Sequence, residues 1–382
     1  MDALLRNEQS VKHWCRLFGV SRKTAYKWKA RFIAGGRRAL TDHSRRPHRS
    51  PGRLRPGRLA MLRRLRQKYP SWGPKKIRAH LQRHGSAWPS GRTLGRWLQR
   101  LGLTQRVRRR PRQACVRRHP RLTRARRPNH VWSVDFKGWF RAGNGERCEP
   151  LTVRDQYSRH GLLVRVLPTQ HGRLVKAAFT RLFQQRGLPE IIRVDNGSPF
   201  ASPGPAGLSQ LSVWWIQLGI KVEFTRPACP QDNGAHEQFH RVLKAGTTPA
   251  ARTRRGQQHR ATGWLRHYNR VRPHEALGQR PPARWYRQSR RKFPRRLAEI
   301  QYGRGCQVRR VRHNGEIRWA GRKRFIGEAF IRQSVGLRRL RPGVYAVLFA
   351  HLLIGHLHEQ DAGAMRPARY QHRHHARKKS KV

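Results

Sequence analysis

The chain has 382 residues, with 87 Lys and Arg against 18 Asp and Glu, and a formal net charge of +69. This length allows two to four domains, and the charge calls for a polyanionic partner, for which nucleic acid is the best candidate. An anionic membrane surface is the weaker candidate, because no apolar run reaches the length of a membrane span. The five cysteines include no Cys-x-x-Cys pair, which argues against a zinc site or a disulfide framework. The N-terminus does not resemble a signal peptide, so we expect a protein of the reducing cytoplasm.

Residues 1–45 are predicted to form a helix-turn-helix. A first helical segment starts at Val11, Gly19 stands at the turn, and Ser21 is a good N-cap for a second helix. The basic side chains of that second helix would face a major groove or its phosphates. They are Arg22, Lys23 and Lys27. An ordinary helical pair with a solvated basic face is the alternative.

Residues 46–110 are predicted to hold a second helix-turn-helix domain. Its first residues are rich in Pro, Arg and His, and its helices follow them. Apolar residues recur there at helical spacing, and Ser90 is placed to cap the last helix. Arg92 and Arg96 are the candidates for contact with the DNA groove. Two such domains in tandem would suit a protein that must find specific DNA ends. Residues 111–128 are predicted to be a basic linker, which would bind phosphate but read little sequence.

Residues 129–285 are predicted to form an α/β core in which carboxylates follow β-strands. One strongly β-forming run reaches Asp135, and a second ends at Asp195. Strand ends in layered α/β folds hold functional side chains on a rigid scaffold. A third carboxylate, Glu237, follows an Asn-Gly turn at the start of a predicted helix. Carboxylates brought together repel unless a cation lies between them, and oxygen ligands suit Mg²⁺ or Mn²⁺.

The C-terminal third of the chain changes to β patterning. Residues 286–361 are predicted to form a small all-β barrel. Asn314 and Gly315, between two β-forming runs, predict a hairpin with a type I′ turn. Residues 362–382 are predicted to be a disordered, basic tail.

Six phrases in the expected order carry a family resemblance. They are VWSVDFKG from Val131, LTVRDQYSR from Leu151, RVDNGSPFAS from Arg193, LSQLSVWW from Leu208, QDNGAHE from Gln231 and NRVRPHEALG from Asn269. In these phrases the sequence resembles the Asp-Asp-Glu transposases with a retroviral-integrase-type core. The likeness is greatest to the bacterial insertion-sequence families 481 and 3. Because it covers most of the chain in six ordered phrases, chance agreement is improbable.

The resemblance implies both a fold and an activity. The core would be ribonuclease-H-like, a mixed sheet with the element order β-β-β-α-β-α-β-α. The protein would bind the terminal inverted repeats of an insertion sequence, cleave a DNA strand, and join the freed 3′-OH to target DNA. It would act as a homo-oligomer on DNA in the bacterial cytoplasm, associated with the nucleoid. Neither a membrane nor a nucleotide cofactor would take part.

The resemblance also implies the catalytic residues. Asp135, Asp195 and Glu237 would hold two Mg²⁺ or Mn²⁺ ions, with Asp135 bridging both ions. On a helix that starts near residue 234, Arg241 and Lys244 lie on the same face as Glu237. Basic residues at such positions in integrases hold the DNA end.

Two other polar residues near these motifs are predicted to be structural. Asp155 follows the second strand, and we expect it to accept hydrogen bonds from Ser158 or Arg159. His236 adjoins Glu237 and could be a ligand, but a turn or helix-cap role is the preferred prediction.

Two departures from the family pattern keep other functions open. Gln238 stands where the relatives usually have Arg, and the density of arginine is unusual even for this family. A decayed copy would keep the motifs and lose the activity. A catalytically inactive or domesticated DNA-binding regulator is therefore one alternative, and a metal-dependent DNA endonuclease without strand transfer is another. A strand-transfer assay on terminal inverted repeats separates the three.

Overall fold

The computed structural model describes residue 6 and residues 9–42, 56–85, 87–104, 122–226 and 229–368. Most of the segment rich in Pro, Arg and His, most of the predicted basic linker and most of the predicted tail lie outside these residues. The chain divides into two compact units, Met1–Ala60 and Met61–Val382.

The first unit contains the predicted helix-turn-helix pair. Helix α1 spans Val11–Leu17 and helix α2 spans Arg22–Gly35. The hydroxyl of Ser21 accepts a 3.2 Å hydrogen bond from the main-chain N–H of Thr24, as expected for an N-cap. Gly19 has φ +61°, a left-handed conformation that favours glycine at this turn. The predicted start of the first helix at Val11 and the Ser21 cap of the second are confirmed.

Three further helices follow along the chain, and the first of them crosses the boundary between the units at Ala60. Helix α3 spans Pro56–Lys68, helix α4 spans Pro74–Gln82, and helix α5 spans Gly91–Arg100. The hydroxyl of Ser90 caps α5 by accepting a 3.2 Å hydrogen bond from the N–H of Thr93. The apolar residues that recur at helical spacing are buried, and they include Leu62, Ile77, Leu81, Leu94, Trp97 and Leu98. The predicted second group of helices is therefore present.

The core is built on a six-stranded mixed sheet. Its strands are β1 (Val131–Phe136), β2 (Phe140–Arg141), β3 (Arg147–Asp155), β4 (Gly161–Leu167), β5 (Ile191–Val194) and β6 (Lys221–Phe224). The order is β2-β3-β1-β5-β6, with β4 also paired to β3. The pairs β1–β3 and β3–β4 are antiparallel, whereas β1–β5 and β5–β6 are parallel. Apart from the short β2, this is the predicted ribonuclease-H-like arrangement.

Helices cover both faces of this sheet. They are α6 (Gly172–Arg186), α7 (Gln210–Gln217), α8 (Gly234–Thr247) and α9 (Arg254–Arg270). An aromatic cluster that includes Trp132, Phe183 and Trp215 forms the core beneath α6 and α7. Phe239 and Leu243 of α8 pack with Tyr268 of α9 in a separate cluster. The sheet therefore carries one hydrophobic core on each face, and α8 belongs to the smaller one.

The C-terminal strands, predicted to form a small all-β barrel, form two sheets. The strands are β7 (Cys306–Arg310), β8 (Glu316–Trp319), β9 (Arg322–Phe325), β10 (Ser334–Arg341), β11 (Val344–Phe349), β12 (Leu352–His358), β13 (Gly363–Ala364) and β14 (Arg366–Pro367). Five of them pair in the order β14-β12-β11-β10-β7, and three in the order β13-β9-β8. One hydrophobic cluster joins the two sheets, because Ile317 and Trp319 pack with Val335, Val347 and Phe349. The all-β class is confirmed, and the described strands do not close into one barrel.

The predicted type I′ hairpin at Asn314 and Gly315 is also wrong. Strand β7 pairs with β10, and β8 pairs with β9, so the strands on either side of this turn do not pair with each other. A type I′ turn needs positive φ at both central residues, but only Gly315 of this pair has it, at 81°. The turn is closed by a 3.1 Å hydrogen bond from the Gly315 N–H to the Arg312 carbonyl. Contacts with β10 and β9 therefore outweigh the local preference for a hairpin.

Candidate active site

The three predicted catalytic carboxylates lie near one edge of the core sheet. Asp135 is the fifth residue of β1, and Asp195 directly follows the last residue of β5. Because β1 and β5 are parallel neighbours, their C-terminal ends meet at the same edge. Glu237 lies in the first turn of α8, and its side chain and that of Asp195 are exposed. The fold therefore brings together a strand-borne, partly buried carboxylate and two exposed ones.

The electrostatics of Asp135 show that these charges act on one another. Burial, together with the negative charges of Asp195 and Glu237, raises the pKa of the Asp135 carboxyl to about 7. Hydrogen bonding to the main chain of Phe136 and the charge of Lys137 oppose this rise in the pKa. The site thus accumulates negative charge that the surrounding protein does not fully balance.

Such a donor set has the chemistry of a hard-cation site. Carboxylate oxygens are the ligands that Mg²⁺ and Mn²⁺ prefer. The raised pKa of Asp135 comes first from burial, and a divalent cation would neutralise the charges of Asp195 and Glu237 that add to it. Among the residues that the structure describes, no three or more His, Cys, Asp or Glu side chains are close enough together to hold a metal ion. The carboxylates are chemically suitable ligands for a divalent cation, and their assignment as ligands stays a prediction.

A buried polar layer connects Asp135 to α8. Thr152 on β3 donates a 2.9 Å hydrogen bond from its hydroxyl to the main-chain oxygen of Asp135. The same hydroxyl oxygen lies 2.6 Å from Nε2 of His236 and 2.7 Å from Nε2 of His240. Nδ1 of His236 lies 2.8 Å from the hydroxyl of Ser133 on β1. The layer therefore ties the first two turns of α8 to both central strands.

The hydrogen-bond directions in this layer define the imidazole tautomers. Since the Thr152 proton goes to Asp135, the Thr152 oxygen accepts from Nε2–H of both histidines. Nδ1 of His240 then carries a lone pair and lies 3.9 Å from Oδ2 of Asp135. Burial lowers the pKa of His240 to about 3 and that of His236 well below its ordinary value. Both histidines are neutral, and the predicted turn or cap role of His236 is wrong because its ring bridges helix and sheet.

The structural role predicted for Asp155 is confirmed. Its side chain is fully buried and accepts hydrogen bonds of 2.7 Å from the Ser158 N–H and 2.5 Å from the Ser158 hydroxyl. Its other oxygen accepts a 2.8 Å hydrogen bond from the N–H of Asn129. Ser158, and not Arg159, is the partner that holds this carboxylate. The residue shapes the turn after β3 and the start of the core.

The predicted DNA-contacting side chains are all exposed. Arg241 and Lys244 share the exposed face of α8 with Glu237, while Phe239 and Leu243 turn into the core. The other predicted residues lie on exposed positions of α2 and α5, and they are Arg22, Lys23, Lys27, Arg92 and Arg96. Their accessibility permits contact with DNA, and their role stays a prediction.

Sequence reasoning missed three buried polar residues near the site, namely Thr152, Arg154 and His240. A signal for two of them is present in β3, where Thr152 and Arg154 alternate with the apolar Leu151 and Val153. Side chains two apart in a strand point to the same face. Two polar residues on one face of a central strand therefore indicate a polar layer under a helix.

The core is a mixed sheet with carboxylates at neighbouring strand ends, and helix-turn-helix units precede it. This combination is typical of the Asp-Asp-Glu transposases and integrases. Models of the integrase core domain match residues 125–230 and 218–282. A homeodomain-like domain model matches residues 24–98, and the C-terminal domain of IS481 family transposases matches residues 306–362. In these regions the chain is similar to insertion-sequence transposases with an integrase core.

Relatives in insertion elements agree with this assignment. The chain is 32% identical over 168 residues to a 39.2 kDa protein of insertion element IS476 from Xanthomonas euvesicatoria, covering 41% of this chain and 44% of that relative. It is 26% identical over 280 residues to a 31.7 kDa protein of insertion element IS407 from Burkholderia multivorans, covering 72% of this chain and 89% of that relative. The chain thus spans less than half the length of the first relative.

Solved structures of integrase core domains were also matched. The catalytic core domain of HTLV-2 integrase in complex with magnesium is 16% identical, with a TM-score of 0.34, covering 43% of this chain and 100% of that chain. The catalytic core domain of BIV integrase is 20% identical, with a TM-score of 0.32, covering 41% of this chain and 93% of that chain. Separately, each helix within the described ranges is too short or too polar to cross a lipid bilayer.

Proposed function

We propose that this transposase binds the terminal inverted repeats of an insertion sequence, cleaves a DNA strand there, and joins the freed 3′-OH to target DNA. The observation that carries the proposal is the meeting of Asp135, Asp195 and Glu237 near one sheet edge, reflected in the raised pKa of Asp135. The integrase-core match over residues 125–230 supports it. The proposal assigns these three residues as ligands of two Mg²⁺ or Mn²⁺ ions, with Asp135 shared between the ions.

The protein's own residues supply position and charge for this reaction. Bound divalent cations would activate an oxygen nucleophile and relieve charge at phosphorus. Thr152 holds the main chain of Asp135, and the Gly197 N–H donates a 3.2 Å hydrogen bond to Oδ1 of Asp195. Arg241 and Lys244, on the face of Glu237, would hold the DNA phosphates beside the three carboxylates.

The partners follow from the same domains. Helix-turn-helix and integrase modules act on DNA, and the formal charge of +69 favours a large polyanion over a small ligand. We propose that the second helix of each helix-turn-helix reads the terminal repeats through the exposed residues of α2 and α5. We further propose that the protein works as a homo-oligomer on DNA, associated with the bacterial nucleoid.

The test is a set of cleavage and strand-transfer assays on terminal-repeat DNA with Mg²⁺. Asp135→Asn, Asp195→Asn and Glu237→Gln should each abolish cleavage and joining. DNA binding should persist, because Lys and Arg supply most of the affinity. Glu299→Gln is the matched control, since Glu299 is an exposed carboxylate in the segment between the core and the C-terminal strands.

The same assays decide between the alternative functions. Near-normal cleavage by Asp195→Asn would refute the metal assignment. Binding of the parent protein to the repeats without any cleavage would indicate a DNA-binding regulator. Cleavage without joining would indicate a metal-dependent endonuclease.

A further inference from the structure

A buried arginine with two side-chain nitrogens that lack hydrogen-bond partners lies beneath α8. Arg154 on β3 is only 2% exposed. Its Nη1 donates a hydrogen bond to the main-chain oxygen of Ala235. Its Nε and Nη2 atoms are buried and have no hydrogen-bond partner within the described protein. A buried guanidinium is costly unless its donors and its charge are satisfied, so these two nitrogens require an acceptor.

Arg154 forms part of a strongly positive cavity of about 550 Å³. Three further cations line this cavity, namely Lys76, Arg159 and Arg272. Glu275 is the one carboxylate among the described lining residues, and its Oε1 already lies 3.0 Å from Nζ of Lys75. The cavity, which we call the guanidinium cavity, therefore has an excess of positive charge.

The N-terminal end of α8 adds to this charge. Gly234, Ala235 and Gln238 of its first turns line the guanidinium cavity. The α8 helix has 14 residues, and the free N–H groups and dipole at a helix N-terminus attract anions. Since each residue turns a helix by about 100°, Gln238 lies about 100° round the helix from Glu237 and about 60° from Arg241. The cavity therefore adjoins the face that carries Glu237 and Arg241, and neither of these two residues lines it.

The cations around the cavity lower the pKa values of neighbouring basic groups. Burial, with a smaller contribution from the charge of Arg159, lowers the pKa of Arg154 to about 10. Burial lowers the pKa of His274 to about 3, with added effects from Arg272, Arg154 and Lys76. A solvated basic surface would not explain these shifts, because Arg154 is buried and its charge is poorly screened by water.

We propose that the guanidinium cavity binds a phosphate group, held by the free Nε and Nη2 of Arg154 with Arg159, Arg272 and Lys76 around it. The Nε and Nη2 donors of a guanidinium lie in one plane and match two oxygens of a phosphate. The group is either a backbone phosphate of DNA or a free phosphate, and both share this chemistry. Occupancy satisfies the donors of Arg154 and braces the first turn of α8.

Thermal unfolding of the full chain with inorganic phosphate tests the proposal. At constant ionic strength, replacing chloride by millimolar phosphate should raise the Tm by several degrees, because a ligand that binds only the folded state stabilises it. Arg154→Met should keep at least the parent's Tm in chloride, since it removes a buried charge, and should lose the phosphate shift. Arg159→Gln and Arg272→Gln, which leave Arg154 in place, should each reduce the shift.

Arg255→Met is the matched control, because Arg255 is an exposed arginine on α9 outside the cavity lining. It should keep the full phosphate shift. An equal shift in the parent, the cavity variants and the control would show general screening and would overturn the proposal. The absence of any shift in the parent would overturn it as well. If Arg154→Met does not fold, the Arg159 and Arg272 variants decide the outcome.

A second arm separates the two sources of phosphate. The phosphate titration is repeated with the protein bound to duplex DNA. Loss of the phosphate shift on DNA, together with weaker DNA binding by Arg154→Met, identifies a DNA backbone phosphate as the occupant. A shift that persists on DNA identifies a free phosphate. Neither arm requires cleavage or strand transfer, so failure of this proposal is distinct from failure of the proposed transposase activity.

Discussion

The hydroxyl of Thr152 donates a 2.9 Å hydrogen bond to the main-chain oxygen of Asp135. Through this bond the centre of β3 fixes the end of β1. Because the hydroxyl oxygen also accepts from His236 and His240, one threonine connects the position of Asp135 to that of the helix that carries Glu237. The distance between the carboxylates therefore depends on a residue whose hydroxyl bonds the main chain of Asp135 and not its carboxylate.

Replacing Thr152 by Val should lower the free energy of unfolding by about 1–3 kcal/mol, because it leaves buried imidazole N–H donors without an acceptor. The measurement is urea denaturation followed by circular dichroism. Thr248→Val is the control, since the Thr248 hydroxyl bonds the Lys244 carbonyl at 2.7 Å on the exposed end of α8. The control should cost no more than about 0.5 kcal/mol. Equal losses in the two variants would contradict the role assigned to Thr152.

Stability should fall in mild acid, in part because of His160. Its ring is buried and stacks on Tyr286, with a centroid distance of 4.4 Å. Burial lowers its pKa to about 3, and the charges of Arg186 and Arg270 contribute. Since the folded pKa lies below the ordinary value of 6.5, the stability is present above about pH 6.5 and is lost as the pH falls from there toward 3.

His160→Phe should therefore weaken the pH dependence of unfolding. Between about pH 7.5 and pH 5, the parent should lose about 2 kcal/mol more than the variant, at about 1.4 kcal/mol per pH unit below the unfolded pKa. Urea denaturation of both proteins at the two pH values gives the difference. His259→Phe, at an exposed position on α9, should follow the parent. If His160→Phe has the same pH dependence of unfolding as the parent, His160 does not contribute to the loss of stability in acid.

The exposed face of α8 should matter more for cleavage than for binding. Arg241→Glu or Lys244→Glu should reduce cleavage of terminal-repeat DNA on the order of 100-fold, because the phosphate beside the carboxylates would be misplaced. Overall DNA affinity should change little, since many other cations contribute. Arg181→Glu, on the exposed side of α6, is the control within the described residues. Similar cleavage in all three variants would show that the exposed face of α8 does not position the DNA.

Salt should act in opposite directions on binding and on folding. DNA affinity should fall steeply as salt rises, because each phosphate contact releases a counterion. The free protein, with its formal charge of +69, should become more stable, because screening reduces its self-repulsion. Filter binding and thermal melts across one sodium chloride series measure both effects. A Tm of the free protein that falls with salt would show that the charge does not strain the fold.

Local signals were sufficient to predict much of the fold. Ser21 and Ser90 cap the helices that they were expected to cap, and α8 begins at Gly234, where its pattern indicated. These features depend on hydrogen bonds and on side-chain periodicity within a few residues. The order of strands and helices in the core was predicted in the same way, with help from the family resemblance.

The sequence by itself also determined the need for a polyanionic partner and the candidate residues Asp135, Asp195 and Glu237. Only the tertiary structure decided which polar residues are buried. Arg154 and His236 belong to residue types that are usually exposed or half-exposed, yet both are buried where α8 packs on the sheet. Only the tertiary structure decided, too, that β7 pairs with β10 and not with β8. Such outcomes depend on contacts between segments distant in sequence, where packing of the whole core outweighs local preference.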